Sequence, residues 1–210
     1  MQEHGSLIAL LATVTAISLT GVIAPGPVTA ITVTKGVHRK EAGLLIALGH
    51  GIVEMPIILL VWLGFATVMS GQWPRIVVGI AGGAVLIWMG IGMLRTRTQA
   101  FDERLDVAKG CVAAGVTTTL ANPYLLVWWV TVGATLIASA GAWGLIGVVA
   151  FAVTHWLCDA GWLSFLSWGV FTSRRFLTPA LYRAMIAVCG VVLLGFGVYF
   201  LASGASSLPL

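Results

Sequence analysis

The stretch Leu44–Met69, LLIALGHGIVEMPIILLVWLGFATVM, is apolar along its length, and its only histidine, acidic or basic residues are His50 and Glu54. A second stretch, Trp143–Val170, reads WGLIGVVAFAVTHWLCDAGWLSFLSWGV and carries His155 and Asp159 in the same way. Each stretch exceeds the roughly 20 residues that a helix needs to cross the hydrocarbon core of a bilayer. Within each, the polar pair is spaced i, i+4, which puts both groups on one helix face. An ionisable group at membrane depth costs about 2–4 kcal/mol or more, so it faces a cavity or pathway rather than lipid. The two pairs lie 105 positions apart, 50 with 155 and 54 with 159. Their recurrence points to a membrane transporter built from two similar halves.

Composition agrees. Of the 210 residues, 59% are hydrophobic and 9% charged. Soluble domains carry about 25% charged residues, which excludes a soluble fold. A single integral membrane domain over residues 1–210 is expected. The net charge of +4 is not a nucleic-acid footprint, because the basic residues sit in short connections between apolar runs. Met1–Ser6 has Glu3 and no basic residue, so the first run is expected to stay as a span rather than be cleaved as a signal peptide. Cys111, Cys158 and Cys189 have no C-x-x-C spacing and read as small buried hydrophobes.

Six runs are long enough to span, at about 7–34, 42–69, 76–94, 111–137, 143–170 and 184–202. The connections after the first, third and fifth runs hold Lys35, Arg39, Lys40, Arg95, Arg97, Arg104, Lys109, Arg174, Arg175 and Arg183. The opposite side has only Arg75. Such a bias predicts that these three loops are cytoplasmic and that both termini lie outside. The polar connection Arg95–Gly110, with Asp102, Glu103 and Asp106, divides the chain. The halves, about 7–94 and 111–202, have three spans each and so run in opposite directions. The expected fold is an all-α membrane protein with six transmembrane helices arranged as two inverted three-helix repeats.

A shift of 105 residues also aligns Gly64 with Gly169, Thr67 with Thr172, Pro74 with Pro179, Gly90 with Gly195 and Gly92 with Gly197. Glycine matches are cheap in a chain with 26 glycines. The histidine, acid and proline matches are not. Gly79 with Gly83, and Gly141, Gly144 and Gly147, read as surfaces for close helix packing.

Pro25-Gly26-Pro27 sits inside the first run, and Asn122-Pro123 follows Thr117, Thr118 and Thr119 inside the fourth. Two prolines remove backbone donors and clash with preceding carbonyls, while glycine tolerates unusual dihedrals. Helices one and four should therefore break. Freed backbone groups cannot face lipid, but they can line a cavity where half-helix ends hold charged groups.

These residues resemble the lysine exporter (LysE/RhtB) amino-acid efflux family over essentially the whole chain. The resemblance rests on Ala24-Pro25-Gly26-Pro27, the basic loop from Lys35-Gly36 to Ala42-Gly43, Ala47-Leu48-Gly49, Gly82-Gly83-Ala84 through Met89-Gly90, Ala121-Asn122-Pro123 and a glycine-rich last span. It implies a six-span inner-membrane secondary exporter of small amino acids or analogues, driven by proton or ion antiport.

The expected substrate contacts are Pro25, Gly26, Pro27, Thr29, Asn122 and Pro123. Asn122 can both donate and accept. Trp128 and Trp129 lie close enough to the second break to line the cavity, although tryptophans more often mark interfaces or packing. If the two polar pairs face each other, His50, Glu54, His155 and Asp159 form a cluster suited to proton coupling, since histidine changes charge near neutral pH. The same four residues suit a divalent metal, which makes a metal cation exporter the alternative. A third reading is that each pair merely satisfies itself and fixes packing. The expected partners are a small-molecule substrate, protons or another coupling ion and the lipid bilayer, with room for a homo-oligomer. No nucleic acid, cofactor or enzymatic activity is expected: there is no nucleotide loop and no H-E-x-x-H metal motif.

Overall fold

The computed structural model describes residues 6–65, 71–95 and 107–207, and every described element is helical. Residues 96–106 of the expected polar linker and Thr67 of the 105-residue comparison lie outside the described residues. Helix α1 covers Leu7–Val22 and α2 covers Pro27–Gly36. Helix α3 runs Ala42–Leu60 and is followed by a kinked segment, Val61–Phe65, in which Gly64 has φ 95°. Then come α4 (Gln72–Arg95), α5 (Val107–Leu120) and α6 (Pro123–Trp128), the last followed by a π turn, Trp129–Gly133. The remaining helices are α7 (Ala134–Gly141), α8 (Gly144–Ser173) and α9 (Pro179–Ser206).

Five stretches are long and apolar enough to cross a membrane: Ala42–Phe65, Gln72–Arg95, Pro123–Gly141, Gly144–Phe176 and Pro179–Ser206. Taken as one span, α1 and α2 make a sixth, bent by 76° at its break. The chain is thus a helical multi-pass protein. Both expected breaks are present. At the first, Ile23–Gly26 separates the two half-helices; at the second, Ala121 and Asn122 separate α5 from α6. Pro27 and Pro123 each occupy the first turn of the following helix, where a missing N–H costs nothing. The fourth run is longer than its apolar core suggests, because Pro123–Gly141 alone is long enough to cross and α5 precedes it. The last helix starts before the apolar run, at Pro179, because the Thr178 side chain accepts from Leu181 N and caps it.

Glycine sets how closely these helices approach. Along α4 and α9, Gly79 meets Gly204, Gly83 meets Gly197 and Gly90 meets Gly190. One number rises as the other falls, so the two helices are antiparallel. Helices α3 and α8 are antiparallel as well, with Gly43 against Leu163 and Ser167, and Gly51 against Trp156. Polar bonds fasten their ends: Gly43 N donates to Ser167 Oγ (3.0 Å), and Ser167 Oγ donates to Lys40 O (2.7 Å). Helix α5 lies on the other side of α3, with Gly49 against Val112 and Gly115 against Ile46. Helices α1 and α2 both pack on α8. Side chains such as Ile8, Leu63, Trp88, Ile146 and Phe165 are exposed on the outside, as lipid contact requires. Cys111, Cys158 and Cys189 are buried in three different helices.

Candidate functional site

A cavity opens between the two breaks. Its wall contains Ala24, Pro25, Gly26, Pro27, Val28 and Thr29 from the first break, and Asn122, Tyr124 and Leu125 from the second. His50 and Glu54 of α3 and His155 and Asp159 of α8 complete it, with Trp128, Trp129 and Phe196. Together with the open space at its mouth, it takes up about 790 Å³.

The first break presents backbone. Gly26 is extended, with φ −158° and ψ −168°, and caps α2 without a side chain. The N–H groups of Val28 and Thr29 occupy the first turn, where no intrahelical acceptor exists. Thr29 Oγ1 donates to Ala24 O at 3.3 Å, across the break. At the second break, Asn122 Oδ1 accepts from Tyr124 N at 3.2 Å. Its carbonyl therefore serves as a helix cap, and its amide nitrogen remains for the cavity. Pro123 stands apart from the other expected contacts: its ring packs against Gly82 of α4 and does not line the cavity. The proline fixes the helix start there, and the wall at that point is made by Tyr124 and Leu125.

The two polar pairs do meet. His50 Nε2 lies 3.1 Å from Glu54 Oε1 and 3.9 Å from Asp159 Oδ1. His155 Nε2 lies 3.6 Å from both Glu54 Oε1 and Asp159 Oδ2. All four residues are buried, with none more than 9% exposed. Each pair alone would be an ordinary helix-face contact. Their convergence follows from the antiparallel packing of α3 on α8, which places position 54 beside 155 and position 50 beside 159.

The outer nitrogens of both rings find hydroxyls on other helices. His50 Nδ1 is 2.7 Å from Thr119 Oγ1 at the end of α5, and His155 Nδ1 is 2.8 Å from Ser18 Oγ in α1. Both rings are thereby turned with Nε2 inward. The charged oxygens are served unequally. Glu54 Oε1 also accepts from Trp129 Nε1 at 3.2 Å, while Glu54 Oε2 and Asp159 Oδ2 are buried without a hydrogen-bond partner. One nitrogen of His50 and one oxygen each of Glu54 and Asp159 lie within 4.8 Å of one another, close enough to share a cation.

Trp128 stacks on His155, with ring centroids 5.1 Å apart, and Trp129 meets the same ring edge-on at 5.0 Å. Both tryptophans line the cavity. Trp129→Phe deletes the donor to Glu54 together with part of a fully buried ring. It should destabilise the protein by about 1.5–3 kcal/mol, the range for hydrogen bonds to charged groups, read as a lowered Tm in detergent. Ser18 and Phe196 carried no signal in the sequence, because a serine or phenylalanine inside an apolar run is unremarkable. Thr119 was visible only as part of the triplet before the break.

The family model described as LysE type translocator matches residues 19–204. The chain is 24% identical over 189 residues to the "Putative amino acid efflux protein YcgF" of Bacillus subtilis (strain 168), covering 87% of this chain and 90% of that protein. It is 27% identical over 185 residues to the "Chemotactic transduction protein ChpE" of Pseudomonas aeruginosa, covering 82% and 88%. No solved structure matches the chain.

Proposed function

The chain belongs to the LysE type translocator family, and from that premise we propose that it is a secondary exporter of small amino acids or their analogues, working by proton antiport across the inner membrane. The observation that carries this reading is the single cavity that joins two broken helices to a buried cluster of two histidines and two carboxylates. An amino acid offers complementary charges. Its carboxylate suits the amides at the start of α2, where the helix dipole is positive. Its ammonium suits the unpartnered oxygens of Glu54 and Asp159. Asn122 and Thr29 add polar contacts, Pro25, Gly26 and Pro27 shape the backbone at the break, and Trp128 and Tyr124 pack the remainder.

In this reading His50, Glu54, His155 and Asp159 exchange protons against the substrate. A proton on the cluster and an ammonium group compete for the same carboxylate oxygens, so loading one releases the other. Alternating access is assigned to the two halves, 7–94 and 111–202, as inverted three-helix repeats. The antiparallel pairs α3–α8 and α4–α9, and the matching hydroxyl partners of the two histidines, support that assignment. With the basic loops cytoplasmic, both termini lie outside.

The spacing of the His50, Glu54 and Asp159 ligand atoms favours one rival, a divalent metal as cargo. A thermal-shift screen of the purified protein against amino acids and divalent metals separates the two. Stabilisation by an amino acid is expected. Stabilisation by a metal alone, lost in Glu54→Gln, would overturn the amino-acid reading in favour of metal export.

A further inference from the structure

The two histidine–acid pairs look equivalent in sequence, but their surroundings are not. The Thr119 hydroxyl has one proton, and it is committed: Oγ1 donates to Gly115 O at 2.6 Å. Thr119 Oγ1 can then only accept from His50 Nδ1, 2.7 Å away. Neutral His50 must carry its proton on Nδ1 and present a bare Nε2 to Glu54 Oε1 at 3.1 Å. Two acceptors do not sit at that distance without a proton between them, so the His50–Glu54 contact holds one. Trp129 Nε1 donates to the same Glu54 oxygen and fixes it further.

The second pair differs at each of these points. Ser18 Oγ, buried in α1, has no hydrogen bond among the described residues besides that with His155 Nδ1, so its hydroxyl is able to turn and either donate or accept. His155 can thus take either neutral tautomer. Asp159 Oδ2 is buried without a hydrogen-bond partner, and no indole donates to Asp159 as Trp129 does to Glu54. The titratable groups that face His155 are Glu54 and His50 from α3 and Asp159 from its own helix; the Trp128–Trp129 segment and α1 present aromatic rings and a hydroxyl.

We propose that the pairs divide the work: His50–Glu54 is a fixed unit that retains one proton, and His155–Asp159 is the unit that exchanges a proton with the cavity, with Thr119 and Ser18 as the positioning residues that set this difference. The exchange is a simple transfer. A proton arriving from cavity water is taken up between His155 and Asp159, and the same proton returns to water on the other side. This deepens the antiport reading and rests on it for its role in transport, although the unequal proton states stand on the hydrogen bonds alone.

Nitrogen NMR of the full-length protein labelled with 15N-histidine tests the division without a transport assay. Signals are assigned with His50→Gln and His155→Gln and followed from about pH 5 to about pH 9. His50 Nδ1 is expected to remain protonated throughout, and His155 to change protonation within that window. Thr119→Ser should keep the His50 state and Thr119→Val should lose it; Ser18→Ala should move the His155 transition by about one pH unit, and Ser18→Thr should restore it. A His155 that stays fixed, or a His50 that exchanges, in the unmodified protein overturns the proposal. An amino-acid export assay on the same preparation keeps the two ideas apart. Unequal histidines with no export refute the exporter reading and support the division. Export with His50 as the changing group refutes the division alone.

Discussion

Replacing Glu54 with Gln and Asp159 with Asn together should stop gradient-driven export, with a loss on the order of a hundredfold or more, while the protein still folds and inserts. The reason is geometric. These are the two acids in the cavity wall, each within 4 Å of a histidine nitrogen, and each with one buried oxygen that lacks a partner. Gln and Asn preserve size and polarity, but Asn at 159 cannot take up and release a proton, and Gln at 54 removes the carboxylate that faces both histidines. The measurement is substrate efflux from proteoliposomes with and without an imposed proton gradient. Exchange of labelled for unlabelled substrate, which needs no net proton movement, should survive in part. Wild-type efflux by the double variant would remove these acids from the coupling mechanism. Loss of folding would instead assign the pairs to structure.

The second large effect is expected at Gly49, one residue before His50. A Cβ placed there overlaps the carbonyl of Val112 in α5, and a Cβ on the facing Gly115 overlaps the carbonyl of Ile46 in α3. Both obstacles are backbone and cannot rotate away. Forcing even an alanine into such a contact costs about 1–3 kcal/mol or more, and a larger side chain must push the helices apart. Gly49→Leu should therefore yield little monodisperse protein, and Gly49→Ala a clearly lowered Tm. Because α5 also supplies Thr119 to His50, the surviving alanine variant should lose export in excess of its loss of folded protein. Gly161→Ala is the control: a Cβ there meets nothing within 4 Å, and alanine favours the helix. Equal Tm loss at Gly49 and Gly161 would refute the packing argument.

Much of this protein is legible in its sequence because the governing forces are local. Burying an unpaired backbone amide in lipid is prohibitive, so apolar runs of sufficient length become helices wherever they occur. Pro25-Gly26-Pro27 and Asn122-Pro123 break those helices through chemistry confined to a few residues. The i, i+4 spacing of His50 with Glu54 and of His155 with Asp159 placed each pair on one helix face before any fold was known. The family resemblance, too, rested on short runs such as Ala24-Pro25-Gly26-Pro27.

The rest depended on which helix lies beside which. Proline chemistry alone cannot say that Pro123 turns toward Gly82 while Asn122 and Tyr124 face the cavity. Tryptophans inside an apolar run give no sign that Trp128 stacks on a histidine of α8, or that Trp129 reaches an acid of α3. The apparent equality of the two polar pairs is itself a property of the sequence. Their inequality arises because Thr119 has a second partner on its own helix and Ser18 does not. Hydrophobic length and proline placement act along the chain, so the sequence by itself determined the helices and their breaks. Hydrogen bonds between distant helices depend on packing at the scale of a single methyl group, and only the tertiary structure decided those.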